Sequence, residues 1–195
     1  MAAVLGSELE FRVFNYRDTT PLRAGQVDDE PYGGGRGMVL RVDVVAAALD
    51  AVYGGVLQHR VVAMSPQGRQ LDQELVEELA VEPALTLLSA RFEGFDQRIL
   101  DHLCTDVVSI GPYVLAGGEI PALAVVDAVV RRLPGALSEG SGELESYSAA
   151  LNGGLEYPHY TRPAEFRGWA VPEILLSGDH GRIDAWRRER VRSPR

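Results

Sequence analysis

The stretch Ser109-Ile110-Gly111-Pro112-Tyr113-Val114-Leu115-Ala116-Gly117-Gly118-Glu119, arriving directly after the apolar pair Val107-Val108, decides how this chain is read. A shorter turn of the same kind, Ser89-Ala90-Arg91-Phe92-Glu93-Gly94, follows the apolar residues 85–88. Short apolar runs that end in glycine-bearing turns are the signature of buried parallel strands at their carboxyl ends, where open α/β sheets take up ligands. Small residues let the backbone approach a ligand closely, so that free N–H and C=O groups can read it. Neither turn is GxGxxG, and neither carries the Lys-Ser/Thr of a phosphate-binding loop, so a nucleoside triphosphate is not implied.

Bulk properties bound the answer. A chain of 195 residues is one ordinary domain, or one with a short appendage, and an apolar fraction of 46% supports a real core. No apolar run reaches the ~18–20 residues that a membrane span needs. The N-terminus has no basic region leading into an apolar segment and cleavage site, so the sequence reads as cytoplasmic, with no membrane partner. Cys104 is the single cysteine, which leaves no internal disulfide and no thiolate metal cluster; it reads as a small buried residue. His159 and His180 read as structural hydrogen-bonding residues, and no metal is assigned. The net charge of −9 argues against wide non-specific contact with nucleic acid. Against that trend, residues 186–195 carry five arginines and one glutamate, and Arg131-Arg132 form a second basic point. All basic residues are arginine, as a biased genomic base composition would also give.

Along the chain, alternation predicts a strand over 9–16, composition a loop over 28–37, and helical spacing a helix over 43–53. A short strand is expected at 61–64, ended by Ser65-Pro66-Gln67-Gly68, then a helix over 70–80 and a strand over 85–88. A helix over 96–104, a strand over 106–109 and a helix over 121–133, opened by Pro121, follow. Residues 138–157 have no sustained apolar periodicity and read as a lid or connector, with Glu139, Glu143 and Glu145 in an acidic stretch. The apolar run 171–176 is read as a further strand ahead of Gly178, and 180–190 as a closing helix. Strands alternating with helices make an α/β domain with a mostly parallel sheet flanked by helices.

Six strings in one order carry a resemblance: VDDEPYGGGRGM at 27–38, SPQGRQL at 65–71, RFEGFDQR at 91–98, SIGPYVLAGGEIP at 109–121, PHYTRP at 158–163 and VPEILLSGDHGRI at 171–183. Over residues 10–190 the chain resembles the bacterial tRNA (guanine-N1)-methyltransferases, the SPOUT family with a deep trefoil knot usually called TrmD. The resemblance implies a knotted S-adenosylmethionine-binding domain over 1–137, a lid or linker over 138–157 and a remnant of the C-terminal region over 158–195. It implies a homodimer with sites built from both protomers, and tRNA as partner. Ala90, Ile110, Gly111, Tyr113, Val114, Leu115, Gly117 and Gly118 would hold the cofactor, with Ser65 and Pro66 on the adenine side. Glu93 and Asp29 would bind the substrate guanine, Glu145 would be the general base, and Arg131 would stabilise charge developing on the guanine oxygen.

The chain carries Glu145-Ser146 where the family has Asp-Ser, Pro112 where it has Asp, and Ala90 and Phe92 where it has Gly and Tyr. The family's first strand and helix would precede residue 8, and its C-terminal helical domain would continue past Arg188. These departures leave two other readings beside the tRNA enzyme: the same fold methylating a small heterocycle or nucleobase, and a catalytically degenerate copy that still binds the cofactor.

Overall fold

In VVAM at 61–64 successive side chains turn to opposite faces of a sheet, and all four are buried. Val61 and Ala63 join one core and Val62 and Met64 another, so this segment is covered on both sides. The computed structural model describes residues 9–55, 59–138, 141–142 and 144–193. Its elements are α1 (Tyr16–Thr19), β1 (Asp28–Asp29), β2 (Val39–Leu40), α2 (Val42–Tyr53), β3 (Arg60–Gln70), α3 (Gln73–Ala80), β4 (Leu85–Leu88), α4 (Gln97–His102), β5 (Asp106–Ser109), α5 (Glu119–Val130), β6 (Glu165–Phe166), β7 (Trp169–Ala170), α6 (Glu173–Leu176) and α7 (His180–Arg188). The chain divides into two units, 1–136 and 137–195.

The first unit is α/β, built on a three-stranded parallel sheet in the order β4-β3-β5. Val44, Val45 and Leu49 of α2 and Ile99 of α4 pack with Val61 and Ala63. On the other face Leu75 and Leu79 of α3 and Val125 of α5 pack with Val62 and Met64. A parallel sheet needs this cover, because its connections are helices laid across it. Two helices begin at an aspartate cap: Asp72 accepts from Leu75 N at 2.8 Å and Asp96 from Arg98 N at 2.9 Å. Arg60 ties β3 to β5 through two 2.8 Å hydrogen bonds to the carboxylate of Asp106, with Glu78 of α3 at 3.2 Å.

Three expectations are corrected. Residues 9–15 are not a strand: Phe11 and Val13 are exposed, no strand among the described residues pairs with them, and Asn15 caps α1 by accepting from Arg17 N at 3.0 Å. The strand expected at 61–64 does not end at Ser65. β3 continues to Gln70, with Met64 and Arg69 both opposite Val108, so 65–68 form an outward loop inside one strand. The run 171–176 holds the single helical turn α6 over Glu173–Leu176, opened after Pro172 and exposed at Leu176. Gly178 therefore follows a helix rather than a strand. Helix α5 opens at Glu119, putting Pro121 in the first turn where its missing N–H has no partner to lose, and closes at Val130 in i→i−3 bonds such as Arg132 N to Val129 O, 2.9 Å.

The second unit holds an antiparallel ribbon, β6–β7, with Phe166 opposite Trp169 and Glu165 opposite Ala170. Arg167 and Gly168 at its tip have φ of 52° and 82°, the left-handed pair that a two-residue hairpin needs. Asp179 caps α7, whose Ile183 and Trp186 are buried. A short 3-10 turn at Ala149–Leu151 interrupts the segment read as a lid; Glu139 and Glu143 of its acidic stretch, like the last two residues of the arginine-rich tail, lie outside the described residues.

Candidate functional site

The two quoted turns leave the carboxyl ends of β4 and β5 and meet. Arg91 and Gly117 form an antiparallel bridge, and Gly118 N donates to Ala90 O at 2.8 Å. A Cβ on Gly118 would lie 2.8 Å from Ser89 Cα and 3.1 Å from Ala90 N, so the approach of the two backbones requires glycine there. The looped part of β3, with half-buried Ser65 and exposed Pro66, lies in the strand between them. Gly68 closes that loop against the backbone of Val107 and Val108, where a Cβ would collide.

The second turn is organised from within. Ser109, at the end of β5, is buried; its Oγ donates to Gly111 O at 3.0 Å and accepts from Gly111 N at 3.3 Å. Tyr113 N donates to Gly111 O at 2.9 Å, and its hydroxyl donates to Ile110 O at 3.2 Å. Held this way, Tyr113, Val114 and Leu115 stand exposed, as do Ile120 and Leu123 of α5.

The first turn leans on a third segment. Glu93 N donates to Met38 O at 3.0 Å and Leu40 N to Gly94 O at 2.9 Å. β1 pairs with the same segment, Asp29 opposite Val39, so Asp29 and Glu93 lie on strips flanking one strand. Asp29 also accepts from Arg41 Nη1 at 2.8 Å, an exposed pair and therefore a weak one. A Cβ on Gly37 would lie 2.5 Å from Glu93 Cγ and Oε1, so the glycine loop admits that carboxylate only because residue 37 has no side chain.

Sequence reasoning brought the right turns together and missed the groups that fix them. Arg91 Nε donates to Glu119 Oε1 at 2.8 Å, a clasp across the meeting point. Glu119's own backbone N–H at the start of α5 holds its carboxyl below the usual range, and Arg91 adds to this. Tyr16 packs at the root of the first turn, where burial pushes its phenol up to about 12. Ser109 carried one legible signal, a polar residue closing an apolar strand. The clasp and Tyr16 depend on partners far along the chain and carried none. Burial pushes the Cys104 thiol up to about 11, so it stays protonated at neutral pH and takes no nucleophilic part.

Two expected site residues are not at these turns within the first unit. Arg131 caps the far end of α5, which at 1.5 Å per residue is about 20 Å from Gly118. Glu145 belongs to the second unit, where it is half-buried and its carbonyl accepts from Ser148 N at 3.1 Å.

The family model described as tRNA (Guanine-1)-methyltransferase TrmD matches residues 2–194. A tRNA (guanine-N(1)-)-methyltransferase of Brevibacillus brevis is 51% identical over 180 residues, covering 92% of this chain and 72% of the relative. Relatives with the same description from Exiguobacterium sibiricum and Rhodopseudomonas palustris strain TIE-1 are 49% and 55% identical, over 94% and 88% of this chain and 74% and 68% of their own lengths.

Proposed function

Because the chain belongs to the tRNA (guanine-1)-methyltransferase TrmD family, we propose that it is a methyltransferase that places a methyl group on N1 of guanine in tRNA, beside the anticodon, using S-adenosylmethionine. The observation that carries this reading is the family match over residues 2–194, and the meeting of the two glycine-bearing turns is its structural counterpart. The relatives reported above are named for that activity, and none is named for a small-molecule substrate or a silent role.

The residues present fit the cofactor. Where Gly118 passes Ala90 a side chain would close the edge, and around it Ser65, Pro66, Ala90, Ile110, Gly111, Tyr113, Val114, Leu115, Gly117 and Gly118 offer small residues, turn backbone and apolar cover. When bound, S-adenosylmethionine supplies a methyl on a sulfonium and departs as a neutral thioether. Glu93 would accept from the guanine exocyclic amine and, with Asp29, orient the base. Glu145 would take the N1 proton, leaving the ring nitrogen a lone pair for the methyl group that S-adenosylmethionine would supply. Arg131 stabilises the negative charge that builds on the guanine oxygen. Alignment of donor and acceptor accounts for up to ~7–11 kcal/mol of barrier reduction in favourable cases.

The trefoil knot and the homodimer belong to the same proposal. The dimer is supported by the exposure of five apolar side chains close in sequence, Tyr113, Val114 and Leu115 on the second turn and Ile120 and Leu123 at the start of α5. It also gives Arg131 a role, since a site shared between protomers does not need it near Gly118 of its own chain. Among the described residues no helix is long and apolar enough to cross a membrane, and a tRNA substrate puts the reaction in the cytoplasm. The test is transfer of label from S-adenosylmethionine to a transcript of an anticodon stem-loop with guanine at the target position. Label that blocks primer extension at that guanine is expected; no label at high protein concentration overturns the reading.

A further inference from the structure

We propose that the aromatic face of the β6–β7 hairpin is a stacking platform for an unpaired base of the RNA substrate, an inference that rests on the tRNA reading above. Phe166 and Trp169 are directly opposed in the ribbon, so they share one face, while Glu165 and Ala170 share the other. Their rings lie 5.9 Å apart at 59°, and they are 52% and 70% exposed, which is unusual for the two largest apolar side chains of so small a ribbon. Arg167 at the turn sets its guanidinium 5.0 Å over the Phe166 ring.

Charge identifies the occupant. The alternation that gathers the rings turns Glu165 to the opposite face, so the group beside the aromatics is a cation. An exposed indole face with arginine beside it matches a nucleotide, whose base stacks on rings and guanidinium planes while its phosphate meets the cation. The surrounding unit is suited to a polyanion. Over residues 137–195 eight arginines nearly offset nine acids, so all but one of the chain's net −9 charges lie outside that unit. Among the described residues the three arginine–aromatic stacks, Arg167 on Phe166, Arg187 on Tyr157 and Arg190 on Trp186, all fall in this unit.

The test titrates the full chain with a short single-stranded oligoribonucleotide, and with the same RNA as a duplex, following tryptophan fluorescence. Single strands are expected to quench Trp169, and Trp169→Leu to abolish that part of the quench. Trp169→Ala and Phe166→Ala each weaken single-strand binding by about tenfold, the range of one lost base stack, and Trp169→Tyr restores it. Both side chains are exposed, so the variants keep their core; circular dichroism and S-adenosylmethionine calorimetry should match the parent. Unchanged affinity in both alanine variants overturns the platform, as does failure of the parent to bind single strands. So does unchanged affinity with a lowered sedimentation coefficient, which gives the face to a second copy of the chain. Quenching by RNA with no methyl transfer leaves the platform standing and removes the reaction; methyl transfer with an unaltered RNA KM in Trp169→Ala does the reverse.

Discussion

At position 118 a single methyl group is too much. With Ser89 Cα 2.8 Å from where a Cβ would stand, Gly118→Ala must push apart two backbones held by the 2.8 Å bond between Gly118 N and Ala90 O. Calorimetry should show S-adenosylmethionine affinity down by at least about tenfold, since a misplaced approach costs every contact made there. Glu145 tests the chemistry separately: Glu145→Gln keeps shape and removes the proton acceptor, so kcat is expected to fall about a hundredfold or more while cofactor affinity holds. Single-turnover transfer at saturating cofactor measures it. Legibility at this scale followed chain distance. Gly117 and Gly118 announced themselves beside an apolar strand, whereas Glu119 gains its meaning from Arg91, a residue 28 positions away.

Among elements, β3 and β5 are joined by more than their ladder. Arg60 grips Asp106 with two bonds and holds its carboxyl below the ordinary carboxylate range, with both side chains mostly shielded. A carboxyl depressed in the folded state contributes stability that is complete above its unfolded pKa, ~3.9, and is lost as pH falls through the lower folded value. Asp106→Asn should therefore destabilise by about 1–3 kcal/mol at neutral pH. In urea titrations the gap to the parent should close in acid, below pH ~4. The same strands show what pattern can reveal. β4 and β5 were legible as short, mostly apolar runs, Leu85, Leu87 and Leu88 in one and Val107-Val108 in the other, each leading into a glycine-bearing turn. β3 was legible only as far as Met64, because its loop at 65–68 carries Ser-Pro-Gln-Gly, which reads as an ending. Residues 9–16 alternate like a strand and are none, and 171–176 read as a strand and coil, because a strand exists only where a neighbour accepts its hydrogen bonds. The proposed knot would leave no periodicity in a sequence and entered only through resemblance.

For the whole molecule, the exposed apolar residues of the second turn and α5 make the proposed homodimer the property to test. Leu123→Arg, on an exposed position of α5, should halve the sedimenting mass and abolish transfer while leaving the monomer folded. Charge divides the molecule as well: the C-terminal segment is nearly balanced and the chain before it is acidic. A protein charged this way meets salt in two opposing senses. Added ions weaken the pull of the arginines on phosphate, but they also quieten the repulsion that the acidic body exerts on the rest of the RNA. Plotted as log affinity against log salt, RNA binding should fall more gently than its number of arginine–phosphate contacts would dictate, and neutralising acids on the first unit should steepen the line.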